Sequence, residues 1–155
     1  MEMLTTELNQ QSRGPAVVLV VDDSKIVHLL VRNALAAGLT GAGYSVISAM
    51  DAAEGLKVVA SEAPDIIVTD AMMPGMSGFD LIRKIKSQPE TACIPVILLT
   101  CLEAENGSVM DASGKADLCL GKPFNDADIR SRIQKAELMI HEWRVMKRVQ
   151  SQPGA

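Results

Sequence analysis

The run Ala16-Val-Val-Leu-Val-Val21, followed at once by Asp22-Asp23, constrains the fold more than any other segment. Consecutive aliphatic residues, most of them β-branched, leave no polar side for a half-exposed strand. A strand without alternation is buried on both faces, which is the habit of parallel sheets. Similar apolar stretches recur at YSVISA (44–49), DIIVT (65–69), IPVILLT (94–100) and from Asp117 to Gly121. Helical patterns lie between them. Ser24 to about Ala37 places Val27, Leu30, Val31, Ala34 and Leu35 on one face. Asp51-Ala-Ala-Glu54 has the form of a capping box opening a helix to about Ala60. Phe79 to Lys86 forms a third helix, and residues 103–113 a weaker one interrupted by Asn106-Gly107-Ser108. Asn125 caps the last, whose stripe is Ile129, Ile133, Ala136 and Ile140. Five strands alternating with five helices predict an α/β fold, a doubly wound five-stranded parallel sheet with right-handed crossovers.

The 155 residues suit one domain, with residues 1–14 as a flexible tail. Apolar residues make up 48% and aromatic residues only 3%, so the core must be aliphatic. Gly38-Leu-Thr-Gly41 reads as a tolerated loop insertion. A net charge of −4 with scattered Lys and Arg provides no footprint for nucleic acid. No apolar run is long enough to span a membrane, and the amino terminus has no signal-type segment. Cys93, Cys101 and Cys119 form no C-x-x-C pair and have no nearby His, which argues against zinc. Their odd number suggests a reducing, cytoplasmic setting. Cys101 and Cys119 read as small buried apolar residues, the methionines as core filler, and His28 and His141 as helix-surface residues.

In parallel sheets of this kind ligands bind at the carboxyl ends of the strands. The first strand ends in Asp22-Asp23, the third just before Asp70, the fourth at Thr100, and the fifth leads into Lys122-Pro123. Taken singly, Asp22 and Asp23 could be helix caps, and Asp70 a turn residue before Pro74-Gly75. Together they place three carboxylates, a hydroxyl and an ammonium on one edge. Clustered carboxylates raise one another's pKa, and a hard divalent ion such as Mg2+ relieves the repulsion. A carboxylate can also attack phosphorus to give an aspartyl phosphate, with metal and lysine offsetting charge on the phosphoryl oxygens. The loop Asp22-Asp-Ser-Lys-Ile-Val-His28 lacks glycine and is no phosphate-cradling loop for ATP, so the phosphoryl donor should be another molecule.

The ordered set Asp22-Asp23, Asp70-Ala-Met-Met-Pro-Gly-Met-Ser-Gly78, Thr100 and Lys122-Pro123-Phe124 resembles the response-regulator receiver family over about residues 16–140. The resemblance implies a flavodoxin-like sheet of order 2-1-3-4-5. It implies that Asp70 accepts a phosphoryl group from the phosphohistidine of a histidine kinase or phosphotransfer protein. Asp23, Asp70 and the backbone carbonyl of Met72 would ligate Mg2+ directly, and Asp22 through a metal-bound water. Lys122 would pair with Asp70 or the phosphoryl group, and Thr100 would reorient as part of the switch. The family usually carries Tyr or Phe three residues before the lysine, a ring that swings inward as the threonine moves; here that position is Cys119.

These readings place a receiver domain at 15–142 and a helix extension with a C-terminal tail at 143–155. The expected function is a stand-alone phosphorylation-dependent switch, not an enzyme beyond its own phosphotransfer and slow autodephosphorylation. With the sequence ending at residue 155, output is expected to pass through a downstream protein target. One alternative is an interaction module independent of phosphorylation. Another is a phosphohydrolase; Met72 stands where haloacid-dehalogenase-like enzymes carry a second aspartate. Beyond Ile140, Trp143, Met146 and Val149 continue an apolar face that either caps the domain or docks on a partner or a second copy, giving a homodimer through the C-terminal helix.

Overall fold

The computed structural model describes residues 15–36, 43–101 and 116–151. Five strands, β1 (Ala16–Val21), β2 (Tyr44–Ala49), β3 (Ile66–Asp70), β4 (Val96–Cys101) and β5 (Leu118–Lys122), form one sheet of order β2-β1-β3-β4-β5. Every pairing is parallel. Four helices lie among the described residues: α1 (Lys25–Ala36), α2 (Ala52–Glu62), α3 (Gly78–Lys86) and α4 (Asp126–Ser151). The helix expected at 103–113, the loop at Gly38–Gly41 and the tail 1–14 lie outside the described residues.

Alternate residues of each strand feed opposite layers of core. Val18, Val20, Ile66, Val68, Ile97 and Leu99 face α1 and α4, while Leu19, Val21, Ile67, Val96 and Leu98 face α2 and α3. Each such side chain contributes about 1.5–3 kcal/mol by leaving water. The unbroken aliphatic run of β1 is therefore a consequence of having helices on both sides. Two side chains of α1 depart from expectation. Leu30 is 40% exposed, whereas His28 is buried. Of the thiols, Cys101 is exposed, contrary to expectation, and Cys119 is half-buried against the α2–α3 layer. Met73 is a core residue, but Met72 and Met146 are exposed.

Caps set the helix starts. Asp51 accepts from the N–H of Glu54 at 2.7 Å, and the Glu54 carboxylate accepts from the N–H of Met50 at 2.9 Å. At α4, Asn125 and Asp128 exchange side-chain and backbone bonds in the same way. Ile129, Ile133 and Ala136 are fully buried and Ile140 packs half-buried against the same core layer, beyond which α4 continues to Ser151. Trp143 is 41% exposed, with the Lys147 ammonium 4.8 Å from its ring centroid. Val145, Met146 and Val149 are exposed beside it.

The amino-terminal edge of the sheet is tied by charged side chains used structurally. The Asp65 carboxylate accepts from the N–H of Val17 at 2.8 Å. Lys86 donates to the carbonyls of Ala92 (3.0 Å) and Ile94 (2.7 Å) and pairs with Asp117 at 2.7 Å; Asp117 in turn accepts from Val96 N–H. Replacing this largely buried ammonium leaves two carbonyls and a carboxylate short of a donor. Lys86→Met should lower unfolding free energy by about 1–3 kcal/mol, measured by urea denaturation.

Candidate functional site

The site occupies the opposite edge, where β1, β3, β4 and β5 end. Asp22 follows β1 directly and is fully buried. Its N–H donates to the carbonyl of Ala49 at 3.2 Å, extending the β1–β2 pairing by one step. One carboxylate oxygen accepts from the N–H of Ser24 at 2.8 Å, turning the chain into α1. Asp23, on that turn, is exposed. Asp70 is the last residue of β3, opposite Leu99 of β4. The loop after it folds back tightly: Ala71 N–H bonds to Leu99 O at 3.0 Å and Gly78 N–H to Ala71 O at 2.9 Å. A Cβ on Gly78 would lie 1.9 Å from the Asp70 carbonyl oxygen, so only glycine permits this closure. Gly75 supplies the loop's left-handed turn at φ 82°. Ser77 and Asp80 then form the reciprocal cap that starts α3.

Lys122 ends β5 and reaches across to the buried Asp22 and the half-buried Asp70. Its Nζ lies 3.0 Å from Asp22 Oδ2 and 3.1 Å from Asp70 Oδ1. Thr100, also buried, pairs with Gly121, immediately before Lys122. Carboxylate oxygens of Asp22, Asp23 and Asp70 all lie within 4.8 Å of one another. Burial, and then the charge of Asp22, push the Asp70 carboxyl above the usual carboxylate range, although Lys122 and the N–H of Met72 oppose the shift. Burial pulls Lys122 down, but Asp22 and Asp70 outweigh it and hold the ammonium above its ordinary 10.5. Three clustered carboxylates, two of them paired with the Lys122 ammonium, form a hard, oxygen-only donor set with excess negative charge. That chemistry fits a divalent cation of the Mg2+ type.

Every charged residue singled out from the sequence thus lies at this edge, with Thr100 beside them. The N–H of Met72 faces Asp70, while its side chain points to solvent. Cys119 lies three residues before Lys122 on the edge strand, opposite Leu98; its carbonyl accepts from Arg132 Nε at 2.9 Å. His28 was expected on the helix surface. Instead its Nε2 lies 2.7 Å from the carbonyl oxygen of Asp22. With about 100° per residue, positions 28 and 30 flank the stripe of Val27, Val31, Ala34 and Leu35 at similar angles on opposite sides. Hydrophobicity favours Leu30; the fold buries the side that faces the Asp22 turn. An imidazole in the first turn of the helix that follows two strand-end aspartates was the signal available.

The raised Asp70 pKa has a definite sign. Its charged form is disfavoured by folding, so the cost is present at neutral pH, shrinks as pH falls below the raised value and is gone below the ordinary 3.8. Asp70→Asn in EDTA at pH 7 should therefore melt a few degrees above wild type, the difference shrinking toward pH 4, as read by scanning calorimetry. The Lys122 contribution has the opposite sense: it is full below 10.5 and lost as pH rises through its raised value.

Comparison with known proteins agrees with this geometry. The family model described as the response regulator receiver domain matches residues 18–134. The response regulator PleD of Caulobacter vibrioides is 39% identical over 130 residues, covering 82% of this chain and 28% of PleD. The alkaline phosphatase synthesis transcriptional regulatory protein PhoP of Bacillus subtilis is 35% identical over 118 residues, covering 76% of this chain and 46% of PhoP. The chain therefore spans less than half the length of either relative. Among solved structures, the chemotaxis response regulator CheY4 of Vibrio cholerae superimposes with a TM-score of 0.68 at 32% identity, over 79% of this chain and 98% of CheY4. The five-stranded order, the aspartates and lysine at the strand ends and these matches agree: the chain belongs to the response regulator receiver family of two-component systems.

Proposed function

We propose that Asp70 accepts a phosphoryl group from the phosphohistidine of a histidine kinase or phosphotransfer protein, in a Mg2+-dependent reaction, and that a downstream protein reads the altered surface. The observation that carries this reading is the placement of Asp70 at the open end of β3, with one oxygen held by Lys122. The other oxygen is the nucleophile. It forms a bond to phosphorus as the phosphorus–nitrogen bond of the donor breaks, and the departing imidazole takes a proton from solvent. Lys122 follows the negative charge from the carboxylate to the phosphoryl oxygens, and Thr100 donates to one of them. Bound Mg2+ supplies the remaining positive charge. Asp23, Asp70 and the Met72 carbonyl would hold it directly. Asp22 suits an outer role, since one oxygen accepts from Ser24 and the other from Lys122.

Signalling is then a shift between two conformations that a partner distinguishes. With Cys119 where an aromatic would stand, the path to the surface begins at Thr100. The chain processes no separate substrate: its chemistry is its own phosphotransfer and slow autodephosphorylation. Cys119 is also the observation that favours the second reading, an interaction module that works without phosphate.

Incubation of the protein with Mg2+ and acetyl phosphate should add the mass of one phosphate to wild type and none to Asp70→Ala. Lys122→Met should slow the modification by about a hundredfold, and EDTA should abolish it. A wild type refractory to acetyl phosphate and to histidine kinases alike would overturn the proposal in favour of the second reading.

A further inference from the structure

Within α1, the buried His28 ring makes one polar contact among the described residues, through Nε2. Nε2 lies 2.7 Å from the Asp22 carbonyl oxygen. A carbonyl can only accept, so Nε2 carries the proton. Nδ1 is buried without a hydrogen-bond partner among the described residues. An aliphatic side chain of similar size would fill this space without an unpaired acceptor, but it could not supply the donor.

The carbonyl that His28 holds belongs to the peptide joining Asp22 to Asp23. That peptide is a rigid plane. Holding its oxygen restrains the ψ of Asp22 and the φ of Asp23, and so the directions in which both carboxylates leave the backbone. The flanking groups are fastened as well: Asp22 N–H to Ala49 O at 3.2 Å, and Ser24 N–H to Asp22 Oδ1 at 2.8 Å. Between these bonds, the His28 contact restrains the one peptide shared by the two acidic residues. We propose that His28 is a positioning residue: by donating to the Asp22 carbonyl it aims the Asp22-Asp23 pair at the cation that the phosphoacceptor chemistry needs. This rests on the Mg2+-dependent reading of the site. Outer groups that orient metal ligands commonly change affinity ten- to a hundredfold when removed.

Glutamine and methionine have side chains of the same reach, and only glutamine carries a terminal N–H donor. Mg2+ binding to the full chain, followed by calorimetry without phosphodonor, should be about tenfold weaker in His28→Met and within about threefold of wild type in His28→Gln. The Mg2+ concentration giving half-maximal modification by acetyl phosphate should move in parallel. A purely structural role for the ring predicts no such rescue. Should His28→Met not fold, His28→Asn, whose amide is too short to reach the carbonyl, takes its place and should bind as weakly. Wild-type affinity in His28→Met, or equal weakening in His28→Met and His28→Gln, overturns the inference. A wild type that binds no Mg2+ overturns the proposed reaction, and this inference with it.

Discussion

Lys122 holds the carboxylates of two residues that are distant in sequence, Asp22 at 3.0 Å and Asp70 at 3.1 Å, and the organisation of the active edge depends on that sharing. One ammonium cannot neutralise both, still less Asp23 nearby. Burial, and then the charge of Asp22, push Asp70 upward in pKa, and the net negative charge of the cluster suits a cation. Phosphorylation would place further negative charge at the same point. The arrangement is therefore electrostatically unfinished, as the proposed cation binding and phosphoryl transfer require.

The fold makes such a site tenable by spending its apolar residues elsewhere. Both faces of the sheet are covered, so polar side chains can gather only at the strand ends. The two edges then use similar chemistry differently. At the amino-terminal edge, Lys86 and Asp117 satisfy one another and adjoining backbone groups, and the charges there close the structure. At the carboxyl edge the pairing is incomplete, and the loop after Asp70 is pressed so closely onto β3 that Gly78 has no room for a side chain.

Much of this was legible in the sequence. The aliphatic run of β1 announces burial on two faces, and the aspartates and lysine stand where the apolar runs of their strands stop. Strand and helix limits moved by only a residue or two, as at β3, where Asp70 itself completes the strand. Asp51 and Asn125 could be read as caps because a cap is a local hydrogen bond between near neighbours. His28 and Leu30 could not be read correctly: both flank the same apolar stripe, and which flank is buried depends on where the Asp22 turn lies. Cys101 was misread for a related reason, since it continues a buried strand but falls where that strand emerges.

The sequence by itself determined the layered α/β architecture, because the period and composition of each segment are local properties of the chain. It also determined which groups reach the active edge, because a strand's last residue is set by where its apolar run stops. Only the tertiary structure decided how those groups pair. The sharing of Lys122 between Asp22 and Asp70, the contact of Gly78 with the Asp70 carbonyl and the hold of His28 on Asp22 depend on distances between side chains and backbone across packed elements. No single segment's periodicity contains those distances.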